Sequence, residues 1–264
     1  MSAPAPVPAG GAGARLRVVT CNVRELLDDG RALREVLRAA DADVACLQEV
    51  PTHPLAAHRL GDLAADTGLW VVAAGRTGAG TAVLAAGRVD VRAAGVRALP
   101  TPRLRGRRPV RRRGTAEAVV RVLVGPAVPG APAWSVPVLV RSVHLGLDPG
   151  ERVEHALRLV PPALPGAACA PWAGAPLVVA GDLNEGPRGR AGAVLRARLP
   201  DVAEAAGAGG DFATFPARAP RRRIDVVLAD ARLGAGAVRT PAVERAAAAT
   251  DHLAVVADLL VPLG

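Results

Sequence analysis

The chain has 264 residues, a formal charge of +9 and an isoelectric point of about 11.3. That length suits one large α/β domain with a sizeable core, and the charge favours anionic partners. Lysine and tyrosine are absent, which excludes catalysis by either, and aromatic residues make up only 2%, so the core must be built from Leu, Val and Ala.

Met1–Ala14 is rich in Ala, Pro and Gly and lacks the basic and apolar regions of a secretion signal. It reads as a disordered tail (residues 1–14) before a folded domain over residues 15–264. Leu16–Val23 is strand-like, and Arg31–Ala40 follows with helical spacing at Leu33, Val36 and Leu37. Asp43–Val50 predicts a second strand, Leu55–Asp66 a helix, and Leu69–Ala74 and Thr81–Ala86 two strands around a glycine-rich turn. Val89–Leu99, Thr115–Val124 and Pro137–His144 predict further strands, the last two joined by a Pro/Gly hairpin loop. Glu151–Val160 reads as a helix, Leu177–Ala180 as a strand, Ala191–Arg198 as a short helix, and Ile224–Ala229 and Leu253–Leu260 as closing strands. Strands with intervening helices but many strand–strand neighbours predict mixed sheets.

The uncharged stretches Val122–Val140 and Leu159–Gly181 carry too many prolines for membrane helices, so no membrane span is expected. Cys21, Cys46 and Cys169 are widely spaced, without metal-ligand spacing, and Cys21 and Cys46 fall inside apolar runs. They read as buried thiols of a reducing, cytoplasmic protein, expected to be a monomer.

Polar residues interrupt the apolar runs at their ends: Thr20-Cys21-Asn22, Leu47-Gln48-Glu49, Ser142-Val143-His144, Gly181-Asp182-Leu183-Asn184, Arg223-Ile224-Asp225 and Thr250-Asp251-His252. A phosphate ester repels nucleophiles by its own charge, and a cation held by oxygen ligands removes that obstacle. Glu49 suits the main ligand role, Asn22 offers an amide oxygen, and Asp182, Asn184 and Asp251 complete or flank the site. These hard donors favour Mg²⁺ or Mn²⁺ over zinc. His252 is a candidate base, Asp225 can fix its tautomer, and His144 can donate to a phosphate oxygen.

This set, in this order, resembles the endonuclease/exonuclease/phosphatase superfamily over nearly the whole chain, from Thr20 to about Leu260. The Gly181–Asn184 and Asp251-His252 motifs are the specific ones; Gly80–Leu84 and Arg113-Gly114-Thr115 also resemble strands bordering the family's site. The resemblance implies a four-layer α/β/β/α sandwich of two mixed sheets with helices outside. It implies Asn22, Glu49 and Asp251 at the metal, Asp182 and Asn184 around the attacking water, His144 and His252 on the phosphate, and Asp225 orienting His252, with the base either His252 or Asp182.

The expected activity is metal-dependent phosphodiester hydrolysis, with DNA or RNA as substrate. The alternatives are hydrolysis of a small phosphorylated metabolite or lipid head group, and a catalytically silent binding module. Two arginine clusters are expected to hold phosphate backbone without sequence specificity, since no aromatic residue is interleaved. They are Arg103, Arg105, Arg107, Arg108, Arg111, Arg112 and Arg113, and Arg218, Arg221, Arg222 and Arg223, with Arg113 and Arg223 as the substrate-phosphate candidates. Phe215, in Thr214-Phe215-Pro216, is either a substrate-side residue or core packing; Arg152 either positions the segment after His144 or is a helix-surface charge, and His53, His58 and His155 read as surface residues.

Overall fold

Valine and leucine recur at alternate positions in most of the expected strands, where branched side chains suit a pleated surface buried on both faces. The computed structural model describes residues 13–53, 57–100, 111–128, 131–160, 169–208 and 212–264. Nearly all of the expected tail therefore lies outside the described residues, and its last two positions, Gly13 and Ala14, already belong to the first strand. The strands are β1 (Gly13–Asn22), β2 (Val44–Gln48), β3 (Leu69–Ala73), β4 (Ala82–Ala86), β5 (Val89–Ala98), β6 (Gly114–Val128), β7 (Ala131–Trp134), β8 (Val138–His144), β9 (Leu177–Asp182), β10 (Asp225–Ala229), β11 (Gly234–Arg239) and β12 (Val255–Pro262). The helices are α1 (Gly30–Ala40), α2 (Ala57–Asp66), α3 (Pro149–Leu159), α4 (Arg190–Arg196), α5 (Val202–Ala205) and α6 (Ala246–Ala249).

The strands form two sheets, ordered β11-β12-β1-β2-β4-β3 and β10-β9-β8-β6-β5, with β7 paired to β6. Pairs β1–β2 and β8–β9 are parallel and the rest antiparallel, so both sheets are mixed. One apolar layer fills the seam between the sheets, and a second packs α1 against the outer face of the first sheet. A third packs α3 and α4 against the outer face of the second, completing a four-layer α/β sandwich. Asp29 and Asp148 start α1 and α3 by accepting backbone N–H groups of their first turns. The expected Pro/Gly hairpin carries β7, which lies antiparallel along β6 before the chain enters β8. No helix among the described residues is long and apolar enough to cross a membrane.

Strand alternation explains where polar side chains gather. Leu16 and Val18 of β1, Val44 and Cys46 of β2, Val138 and Val140 of β8, and Val178 and Ala180 of β9 face the seam. Each large apolar side chain among them contributes about 1.5–3 kcal/mol by leaving water. Continuing every second residue along these strands leads to Asn22, Gln48, His144 and Asp182. All four therefore meet where one end of the seam opens. Just below, a buried polar chain bridges the sheets: Thr20 Oγ1 donates to Gln48 Oε1 (3.1 Å), Gln48 Nε2 to Ser142 Oγ (3.1 Å), and Ser142 Oγ to the Leu47 carbonyl (2.9 Å). Gly181 permits the close approach of β9 to β8: it has φ of 158°, and a Cβ there would lie 1.9 Å from the Val143 carbonyl oxygen.

Cys21, Cys46 and Cys169 are buried and unpaired. Burial pushes the Cys169 thiol up to about 12 and the other two higher, so they remain protonated core residues.

Candidate active site

Asn22, at the end of β1, bridges two carboxylates from different sheets. Its Nδ2 donates to Glu49 Oε1 at 3.2 Å and to Asp182 Oδ2 at 3.3 Å. Glu49 follows β2 in a left-handed conformation (φ 51°), and its carboxylate is about a quarter exposed (26%), enough to meet solvent. Asp182, at the end of β9, is buried, and its Oδ1 accepts the Asn184 backbone N–H at 2.7 Å. These oxygens fit a hard divalent cation with water completing its shell, and no thiolate competes for it.

One feature of Asn22 differs from the sequence expectation. Its Oδ1 accepts the Arg24 backbone N–H at 3.0 Å, so its amide nitrogen, not its oxygen, faces the carboxylates. Two carboxylates close together attract the amide donors, and a half-turn of the side chain exchanges the two atoms. Asp251 also stands apart from this trio: its half-exposed carboxylate meets Thr250 Oγ1 at 3.3 Å and Arg24 Nε at 3.9 Å.

Two imidazoles flank Asp182. His144 Nε2 lies 3.5 Å from Asp182 Oδ2 and 3.8 Å from Glu49 Oε1, while His252 Nε2 lies 3.9 Å from Asp182 Oδ2. Their far nitrogens meet opposite partners. Arg113 NH1 donates to His144 Nδ1 at 3.0 Å, which places the proton of the neutral ring on Nε2. Burial, then the Arg113 charge, holds His144 well below its ordinary value. His252 Nδ1 instead donates to Asp225 Oδ2 at 2.9 Å. Burial alone would lower His252, but the hydrogen bond and charge of Asp225, aided by Asp182 and Asp251, push it up to about 9. Burial and the repulsion of Asp225 push Asp182 up to about 6. The carboxylates of Asp182 and Asp225 and the His252 ring lie within 4.8 Å of one another.

Asn184 adopts a left-handed conformation (φ 55°), and its amide donates to the Leu145 carbonyl at 2.9 Å, with Nδ2 3.1 Å from His144 Nε2. Glu49 and His144 line a cleft of about 500 Å³ together with Glu25, Arg76, Arg111, Arg112 and Arg113.

Residues 19–252 match the Endonuclease/Exonuclease/phosphatase family. The chain belongs to this family. Its members hydrolyse phosphate ester bonds and generally depend on a divalent metal. An endonuclease/exonuclease/phosphatase structure from Bacteroides vulgatus superposes with a TM-score of 0.71 at 17% identity, covering 94% of this chain and 99% of its own. The mannosyl-6-phosphatase Bt3783 of Bacteroides thetaiotaomicron has a TM-score of 0.66 at 16% identity, covering 92% of this chain and 99% of its own. ANGEL2, a 2′,3′-cyclic phosphatase, has a TM-score of 0.57 at 15% identity, covering 94% and 96%. At these identities the likeness is one of fold. No curated protein sequence matches the chain.

In this Endonuclease/Exonuclease/phosphatase family member, Asn22, Glu49, His144, Asp182, Asn184, Asp225 and His252 come together at one end of the seam, and Arg113 reaches them through His144. Arg223 does not. Its NH2 is bonded to Asp201 at 2.6 Å, with the Asp201 carboxylate fully buried, so this guanidinium neutralises an internal charge instead of facing substrate. Arg103, Arg105, Arg107 and Arg108 lie outside the described residues, whereas Arg218, Arg221 and Arg222 are exposed.

One further expectation is corrected. His155 is fully buried on the inner face of α3, with Nε2 2.8 Å from the Pro100 carbonyl, while His53 and His58 are exposed. Of the two readings of Arg152 the positioning one holds: it bonds Glu185 at 2.8 Å and the Leu147 carbonyl at 2.7 Å, tying the loop after β8 to the loop after β9. Phe215 is half-buried and packs its ring 4.9 Å from that of His252.

The supporting shell was not assigned from sequence. Thr250 Oγ1 donates to the Asn22 carbonyl at 2.8 Å, and Thr20, Gln48 and Ser142 form the bridge beneath. Their signal was present: each is a polar residue at an apolar strand run or its edge.

Proposed function

We propose that the protein is a Mg²⁺- or Mn²⁺-dependent phosphodiesterase that acts on the backbone of DNA or RNA. The observation that carries this reading is the convergence of Asn22, Glu49 and Asp182 between one neutral and one cationic imidazole, at the mouth of an arginine-lined cleft. Asn22 and Glu49, with Asp182 beside them, would hold the cation, which neutralises phosphate charge and orients water. Asp251 stands further out as a flanking carboxylate.

Asp182, with its affinity for protons raised to about 6, receives the proton of the attacking water as the water oxygen bonds to phosphorus. The ester P–O bond breaks, and the leaving oxygen takes a proton from solvent. His252, protonated up to about 9, presents its Nε2–H to a phosphate oxygen on which charge accumulates, and Asp225 holds the ring in that orientation. His144 offers a second Nε2–H, its tautomer set by Arg113, and the remaining Arg113 donors face the ester. Asn184 positions Asp182 through its backbone N–H, and its own amide is anchored on the Leu145 carbonyl.

The net charge of +9 and the arginines at the cleft support a polyanionic substrate. One observation favours the second reading, a small phosphorylated metabolite: no aromatic residue lines the cleft among the described residues, so bases have nothing to stack upon. A panel of supercoiled DNA, linear DNA, RNA, a chromogenic diester and a chromogenic monoester separates the two. Diester and nucleic-acid cleavage that stops on chelation and returns with Mg²⁺ or Mn²⁺ is the expected result. Monoester cleavage with inert nucleic acids would transfer the assignment to the metabolite reading.

A further inference from the structure

The Arg113 guanidinium is a buried cation whose hydrogen-bond partner is a neutral ring. The residue is 9% exposed, its NH1 donates to His144 Nδ1, and no carboxylate among the described residues lies within ion-pair reach of it. Burial lowers this guanidinium below its ordinary value, and the charge that opposes burial most is that of Glu151, ahead of Asp182 and Glu49. Asp182 and Glu49 belong to the set proposed above for the cation, whose charge would offset theirs. Glu151 stands outside that set, so its charge remains for Arg113 when the site is loaded.

The start of α3 turns Glu151 inward. Its backbone N–H is taken by Asp148 at 2.8 Å, and its side chain shares the buried face of the helix with His155, one turn on. The carboxylate fills room that Gly146 leaves: a Cβ on Gly146 would lie 2.3 Å from Glu151 Oε2 and 2.6 Å from Cδ. Glu151 Oε1 is buried without a hydrogen-bond partner among the described residues, 4.0 Å from His155 Nδ1. An unbonded oxygen on a buried carboxylate is a cost that a glutamate turned to solvent would avoid, and a nearby guanidinium offsets it. His155 Nε2 in turn donates to the Pro100 carbonyl at 2.8 Å, and Leu99, next to Pro100, donates its N–H to the Arg113 carbonyl at 2.9 Å. One turn of α3 thus meets the corner between β5 and β6 at two points, through His155 and through Glu151.

A counter-charge that stands near a guanidinium without bonding to it leaves every N–H free for other partners. We propose that Glu151 is a positioning residue of the site, its carboxylate holding the Arg113 guanidinium against His144 Nδ1 so that the His144 proton stays on Nε2, toward the phosphate. This rests on the phosphodiesterase reading above for the use made of that proton. Glu151 touches neither substrate nor cation and acts through Arg113. A carboxylate in direct contact would draw NH1 away from His144; without one, Arg113 swings toward the open cleft, and the ring loses the donor that fixes its tautomer.

The test uses the full chain and has two arms. In the first, NMR of the metal-free protein with ¹⁵N-labelled histidine reads the His144 tautomer near neutral pH. The wild type is expected to hold Nε2–H, and Glu151→Gln, which keeps the shape and removes the charge, to show a mixture of tautomers. Gly146→Ala, which keeps both charges and crowds the carboxylate from its seat, is expected to do the same, and it decides the question should Glu151→Gln fail to fold. The second arm is a double-mutant cycle with Mg²⁺ on bis(4-nitrophenyl) phosphate. Glu151→Gln should lower turnover about threefold to fivefold, Arg113→Ala about tenfold, and the pair together about tenfold, because one acts through the other. A merely structural Glu151 would lower the melting temperature of Glu151→Gln, leave the tautomer unchanged and multiply the losses to about thirtyfold to fiftyfold, and that result would overturn the inference. A wild type inert toward the diester would remove the phosphodiesterase reading, while the first arm would still decide whether Glu151 sets the tautomer of His144.

Discussion

His144 and His252 stand on either side of Asp182 with nearly the same exposure, 4% and 5%, yet they carry different charge. Burial disfavours the imidazolium in both. At His144 the Arg113 guanidinium adds to that effect; at His252 the Asp225 carboxylate reverses it. The partner on the far ring nitrogen, not depth in the protein, decides which histidine is a cation near neutral pH. One residue type thus supplies a neutral donor on one edge of the site and a charged donor on the other.

The strongest way to break this comparison is to remove the charged side. His252→Ala or Asp182→Asn should each lower hydrolysis about 10³-fold or more with the circular dichroism spectrum unchanged. Turnover within tenfold of the wild type would take these groups out of the chemistry. A subtler variant keeps the ring and alters only its partner. Asp225→Asn should cost about 10²-fold in turnover, and NMR titration should show His252 falling from about 9 toward its ordinary range. A His252 titration unmoved by this change would mean that Asp225 does not set its charge.

Stability gives a third comparison, measured on chelated protein. Asp182 is raised to about 6, so the folded state holds that proton more tightly than the unfolded chain, and stability is lost as pH rises from about 4 through 6. His252, raised to about 9, adds stability that is complete below about 6.5 and lost as pH rises through 9. Asp182→Asn removes the first of these slopes. It should stabilise the metal-free protein by about 1–2 kcal/mol at pH 8, the gain being limited because an uncharged amide no longer attracts His252. Thermal melts at pH 4 and pH 8 that shift equally would contradict this. The smallest effect is expected on the neutral side: Arg113→Ala should cost about tenfold in turnover and raise the His144 titration, since one opposing charge is gone while burial remains.

Much of this arrangement was legible in the sequence because strand periodicity carries it. Asn22, His144 and Asp182 continue the inward alternation of β1, β8 and β9, so each polar residue at a strand end marks the same seam. What was not legible depends on partners distant in the chain. Arg223 resembles a substrate arginine until Asp201, 22 residues earlier, is brought beneath it. Arg152 likewise depends on Glu185, 33 residues away. His155 was a different kind of miss: it shares the buried face of α3 with Glu151 and Leu159, a four-residue spacing that the sequence itself displays. Strand β11 (Gly234–Arg239) and helix α6 (Ala246–Ala249) lack periodicity altogether; β11 is strand because the edge of β12 offers it a ladder, and α6 is four alanines that no pattern distinguishes.

The bridge of Thr20, Gln48 and Ser142 has a consequence for motion. Sliding one sheet past the other by a single residue would strand three buried polar groups without partners, each at about 1–3 kcal/mol. The sandwich is keyed against shear directly below the reacting atoms. Amide hydrogen exchange at the ends of β1, β2 and β8 should accordingly follow whole-molecule opening, while the rim loops exchange freely.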